Sequence, residues 1–192
     1  MQYIFRFVTS IVLITLTGCA SMGQMQSALN EIDQFWGSTN RKIVADKGSR
    51  TLPVSMKQAK RAVTAGVTSL GFEQILETST SMVFKARSPN PFSEEEYEQI
   101  RIVEEPIMQA MASNHVGGFT SSFIVLSSTD TNTILNVWFE SGTPTTTTAH
   151  FDFALEWING REQSGLLLGE NPPPEAVRRG ADKVWQSILD NL

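Results

Sequence analysis

Cysteine is almost missing from this chain. There is one, Cys19, so no intramolecular disulfide can form and packing alone has to hold the fold. Histidine is nearly as scarce, with only His115 and His150. No cysteine–histidine zinc spacing, HExxH, GxSxG or P-loop occurs, which removes the motifs of zinc proteases, α/β-hydrolases and P-loop nucleotidases. Basic residues number 15 against 20 acidic ones, for a net charge of −5, and they form no stripe; nucleic acid is therefore not an expected partner. No apolar run reaches the about 20 residues that a membrane-spanning helix needs. A hydrophobic content of 41% is nevertheless enough for a core, which excludes wholesale disorder.

What is present starts with Arg6, an apolar run over residues 7–16 and two small residues ahead of Cys19. A positive charge, a short apolar stretch and small residues in that order read as a signal peptide over residues 1–18. Leu16-Thr17-Gly18-Cys19 resembles the lipobox of bacterial lipoprotein signal peptides. The resemblance implies a diacylglycerol on the Cys19 sulfur, cleavage before Cys19 and acylation of the new amino group. The membrane is then a partner through the lipid on Cys19. Each buried CH₂ contributes about 0.8 kcal/mol, so several chains on one residue make dissociation very slow. Position 20 is Ala rather than Asp. By the same resemblance this implies sorting to the outer membrane, with the folded part at its periplasmic face.

After the anchor, Met22, Met25, Leu29, Ile32 and Trp36 recur at alternating spacings of three and four, which predicts a short amphipathic helix. Residues 37–50 shift to Gly, Ser, Asn and basic residues and read as a linker. Residues 19–50 are thus an anchor, a short helix and a linker, and residues 51–192 a single domain. Ser55-Met56-Lys57-Gln58 is a capping box ahead of a helical stripe ending at Gly71. Residues 72–77 and 82–87 read as strands. A second capping box at Ser93–Glu96 opens a helical insertion, with Pro106 inside it and Gly117-Gly118 ending it. Residues 119–128 and 133–141 read as a hairpin, and 145–157 alternates with period two. Pro172-Pro173-Pro174 precedes a last helix, in which Gly180 either weakens the helix or lets a neighbour approach closely.

This order predicts an α+β fold: an antiparallel sheet of about five strands with two terminal helices packed on one face, preceded by a short amphipathic helix. In element order it is similar to the helix-grip domains of some outer-membrane assembly lipoproteins, a likeness that brings no functional residue with it. In the expected hairpin Ile124, Leu126, Leu135, Val137 and Phe139 form a core face. Phe119, Phe123, Val125, Ile134 and Trp138 share the other, with Phe123 opposite Trp138. The terminal helices can cover only one face, so the other meets the 22–36 helix, a partner protein or the 88–118 insertion, and Phe119, Phe123, Ile134 and Trp138 are the expected partner-binding residues. The nearest approach to chemistry is His150-x-Asp152, two residues that a strand points the same way. Read as a solvated pair, they supply no catalytic or metal site, and no cofactor is expected. The function expected from the sequence is a non-enzymatic outer-membrane lipoprotein, an accessory or scaffold binding another envelope protein. The alternatives are a carrier of a small apolar ligand on the concave side of the sheet and, third, a periplasmic hydrolase.

Overall fold

The computed structural model describes residues 20–192 other than Ser128 and Ser164, so Cys19 lies outside the described residues. The first element, α1 (Met22–Lys47), opens on a capping box: Gln24 N donates to Ser21 Oγ, and Ser21 N donates to Gln24 Oε1. The linker expected over 37–50 is instead helix through Lys47, followed by strand β1 (Ser49–Leu52). Composition misleads here because tertiary contacts outweigh weak propensity. Asn40 Nδ2 donates to the Pro172 carbonyl, Ile43 is buried, and Lys47 Nζ lies 2.7 Å from Asp182. Packing therefore begins well before Thr51, at Ala28 and Ile32.

Helix α2 (Met56–Ser69) follows as its capping box predicts, with Gln58 Oε1 accepting from Ser55 N, and Gly71 stands just beyond it at φ 86°. Strands β2 (Glu73–Glu77) and β3 (Ser81–Arg87) pair antiparallel, with a register shift between Gln74 and Leu76. Helix α3 (Glu94–Ser121) starts on the Ser93–Glu96 box and runs through Pro106. It breaks only at Gly117 (φ 77°, ψ 156°), a conformation a Cβ would disfavour, and a short helical stretch then carries Phe119.

Residues 119–127 are consequently not a strand. They end α3 and then turn, held by side chains of α3 itself. Gln109 Nε2 donates to the Ile124 carbonyl, and Leu126 N donates to Glu105 Oε1. A loop whose backbone groups are satisfied this way has no need of a ladder partner. Strand β4 (Thr131–Thr143) pairs instead with β3 and with β5 (Thr146–Trp157), so that the sheet order is β1-β5-β4-β3-β2, antiparallel throughout. Five strands were expected and five form the sheet, but β1 takes the place of the anticipated 119–128 strand.

One face of this sheet is the core. Phe84, Leu135, Val137 and Phe151 are buried against α2 and the last helix, α4 (Pro174–Leu189), whose Trp185, Val184 and Ile188 fill the centre. Trp185 Nε1 donates to the Lys47 carbonyl and fastens the end of α1 to α4. A second apolar cluster, Ala28, Ile32, Trp36, Met108 and Ala112, joins α1 to α3. A small ribbon of β6 (Glu162–Gln163) and β7 (Leu166–Leu167) lies on α1 through Gln26, which exchanges hydrogen bonds with the Leu167 backbone. Among the described residues no helix is long and apolar enough to cross a membrane.

Candidate functional site

β5 is longer than β1, which covers only residues 147–150 of it. The core-facing side chains beyond that overlap, Phe153, Leu155 and Trp157, therefore run out from under the α2–α4 layer and meet α1, α3 and the start of α4 across a gap. That gap is a cavity of about 210 Å³. Its walls are Ile32 and Trp36 of α1, Tyr97 and Met108 of α3, Ile124–Leu126 after α3, and Ala176 and Val177 of α4. Gly180 completes the wall: a Cβ there would stand 3.3 Å from the Phe153 ring, so the glycine is what lets that ring lie against α4. Of the two readings of Gly180, close approach is the one realised.

The polar groups of the lining are few and mostly engaged. Asp33 Oδ1 accepts from Asn171 N and Nδ2. Trp157 Nε1 donates to the Gly169 carbonyl, and Tyr97 OH to the Ser127 carbonyl. Burial pushes the Tyr97 hydroxyl up to about 12, so it is neutral at physiological pH. Ser88 Oγ lies 2.9 Å from Thr131 Oγ1 and 3.3 Å from Thr133 Oγ1, a hydroxyl cluster that satisfies itself. Trp36 is the exception. Its ring is buried and its Nε1 has no acceptor among the described residues. Leaving such a donor unpaired costs about 1–3 kcal/mol.

Outside the lining, α3 is tied to α4 by Glu104, whose Oε1 accepts from Glu175 N at 2.6 Å in the first turn of α4. Burial raises this carboxyl above its ordinary value; the Glu175 amide opposes that shift and the Glu175 charge adds to it.

The residues expected to bind a partner do not form one patch. Ile134 and Trp138 are on the face of the sheet opposite the core, where Trp138 pairs across the ladder with Ser81 and His150. Its ring stacks on His150 at 5.4 Å between centroids and 6° between planes. Phe119 and Phe123 are at the end of α3, edge to face at 5.2 Å. The anticipated Phe123–Trp138 pair is absent, because the 119–128 segment is not in the sheet. Ile124 and Leu126 likewise pack on the α1–α3 cluster rather than beside Leu135.

His150 and Asp152 do share the open face, as period two requires. Asp152 accepts from Asn136 Nδ2, while His150 Nε2 is 3.6 Å from Glu140 and without a hydrogen-bond partner. The two are thus held apart in separate contacts. Among the described residues no group of three or more His, Cys, Asp or Glu is placed to hold a metal. The cavity walls were missed in the sequence. Trp36, Phe153 and Trp157 carry only the helix and strand patterns that any core residue carries, and Gly180 was the one local signal. No protein-family model, curated protein or solved structure matches the chain.

Proposed function

We propose that this chain is a lipid-anchored envelope protein, held by Cys19 at the periplasmic face of the outer membrane, whose body binds a small, neutral, apolar ligand. The observation that carries the binding is the cavity with its apolar lining. At about 210 Å³ it exceeds the volume of about 150 Å³ that suffices to take up benzene in an engineered apolar cavity. It is smaller than the pockets of about 300–1,000 Å³ that hold drug-sized molecules, so the ligand is compact or a segment of an acyl chain. Among the described lining residues there is no lysine, arginine or histidine, and Asp33 supplies the one carboxylate. A ligand carrying a free carboxylate would meet a like charge and no counter-ion. A neutral, apolar body fits the lining. The cavity is on the helix-covered face of the sheet. The anchor is supported by the lipobox resemblance at Leu16–Cys19 and by the cysteine count.

The test is organic extraction of the full chain purified from membranes, with mass spectrometry of the extract and titration with N-phenyl-1-naphthylamine, a neutral apolar fluorophore. A neutral apolar compound in near-stoichiometric amount, displaced by the fluorophore, is the expected result. Empty protein that takes up no fluorophore refutes the reading.

The sheet's open face favours a second reading, a scaffold for another envelope protein. Trp138 is 36% exposed there, with Ile134 on the same face and no helix above them. Crosslinking in native cells distinguishes the two: a scaffold yields a stoichiometric protein adduct through this face.

A further inference from the structure

Three segments at one end of the molecule carry no formal charge, with Glu31, Arg161 and Glu162 at their border. Residues 20–30, 106–129 and 163–169 contain no Asp, Glu, Lys or Arg. The fold brings these three segments together. His115 Nε2 lies 2.5 Å from Glu31 Oε2, and Ala112 shares a cluster with Ala28, so α3 runs back toward the start of α1. The β6–β7 ribbon is bonded to Gln26, and a Cβ at Gly165 would touch the Met22 side chain. The large apolar side chains that this end turns outward are Met22, Phe119, Phe123, Val125 and Leu167. Phe119 is 78% exposed and Phe123 68%, a large exposure for aromatic residues. The opposite end of α1 is the reverse, with Lys47 paired to Asp182.

We propose that this apolar end is a bilayer-contacting face, in which Phe119 and Phe123 insert at the level of the lipid interface beside the N-terminal anchor. The proposal rests on the lipidation reading of Cys19. Two residues, Ala20 and Ser21, separate Cys19 from Met22, the first residue of α1, so an acylated Cys19 holds this end and no other against the membrane. A surface pressed onto lipid gains by presenting apolar side chains, and any charged group there would be driven to stay hydrated. The lipid is favoured over a protein partner by position, because the anchor attaches at this end. Val125 links the face to the cavity: it is exposed at this end and also lines the cavity wall. Seating the face therefore brings the rim of the binding site to the acyl layer, the source of apolar ligands.

The experiment uses the full-length lipidated chain with Phe119→Trp or Phe123→Trp. Each variant is reconstituted into vesicles of phosphatidylethanolamine and phosphatidylglycerol, with or without bromine on the acyl chains. Both positions are exposed, so the substitutions leave the melting temperature unchanged, which is checked first. Bromine quenches indole emission only at short range. The expected result is an added emission component quenched roughly two-fold or more at 119 and 123, as for groups in the interface region, while Trp138 on the sheet face, isolated by Trp138→Phe, contributes none of the quenching. Vesicles that carry the protein without quenching at either position overturn this proposal and leave the anchor standing; the patch then faces another protein. Protein that does not float with vesicles overturns both.

Discussion

Ala176 offers the sharpest test of the cavity, because it lines the wall from a helix and leucine costs that helix almost nothing. Ala176→Leu adds three carbon atoms to a space of about 210 Å³. At about 0.8 kcal/mol per buried carbon group the transfer gain is about 2.4 kcal/mol. Side-chain ordering takes back about 0.5–1 kcal/mol, leaving a stabilisation of about 1–2 kcal/mol in the empty protein. For a chain of this size that corresponds to a rise in Tm of roughly 2–8 °C. The same substitution should abolish uptake of N-phenyl-1-naphthylamine, since the added atoms occupy the space the fluorophore needs. Ala110→Leu, on the exposed side of α3, is the control and should change neither quantity. Calorimetry and fluorescence titration on the full chain read both effects. A variant that is more stable yet binds the fluorophore as before would refute the assignment of the ligand to this cavity. A loss of stability of about 1–3 kcal/mol would mean overpacking, and so no usable space.

Other outcomes follow from the anchor, the sheet face and the buried carboxyl. Cys19→Ser should leave an uncleaved or mislocalised precursor without acyl label, and equal metabolic labelling of the mutant would remove the lipoprotein reading. Trp138→Glu should cost about 1 kcal/mol, chiefly the stack on His150, and leave a cooperative melt; unfolding would place Trp138 in the core. Glu104 has a raised pKa in the folded state, so the native protein holds that proton more tightly than the unfolded chain does. Its contribution to stability is thus present below the ordinary carboxyl value of 4.5 and is lost as pH rises through the folded pKa. Glu104→Gln removes this dependence. Urea denaturation at acid and at mildly alkaline pH should show the wild type losing stability relative to the variant as pH rises, and parallel curves would contradict the burial argument.

The capping residues were the most legible part of the chain. Ser55 and Ser93 start helices where the spacing to Gln58 and Glu96 says they should, and the alternation of Phe151, Phe153 and Leu155 gives a half-covered strand. What could not be read are the places where side chains from remote segments decide. Asn40 looks like a helix stop, but the Pro172 carbonyl, far along the chain, holds it inside α1. Residues 119–127 have the β-branched and aromatic content of a strand, but Gln109 and Glu105 take up their backbone groups first. Which face of α3 is buried is also decided by a remote segment. Glu104 and Met108 face inward because Glu104 has the Glu175 amide to meet, which leaves Val103 and Ile107 outside. The cavity depends on all three of these tertiary choices, which is why its residues carry no pattern of their own.

The register shift in β2 has a bearing on how such molecules coexist. Proteins confined to a surface meet one another far more often than the same number free in solution, and always in similar orientations. A flat outer strand bearing Ile75 and Leu76, both about half exposed, would be an invitation to stack sheet upon sheet. The irregularity between Gln74 and Leu76 breaks the even row of amides and carbonyls that such stacking requires. Glu77, held by Lys60, adds charge at the same border. At the other border β1 is only four residues long. Neither margin of the sheet offers a neighbour a template, so crowding of the kind the proposed anchor would impose need not lead to fibres.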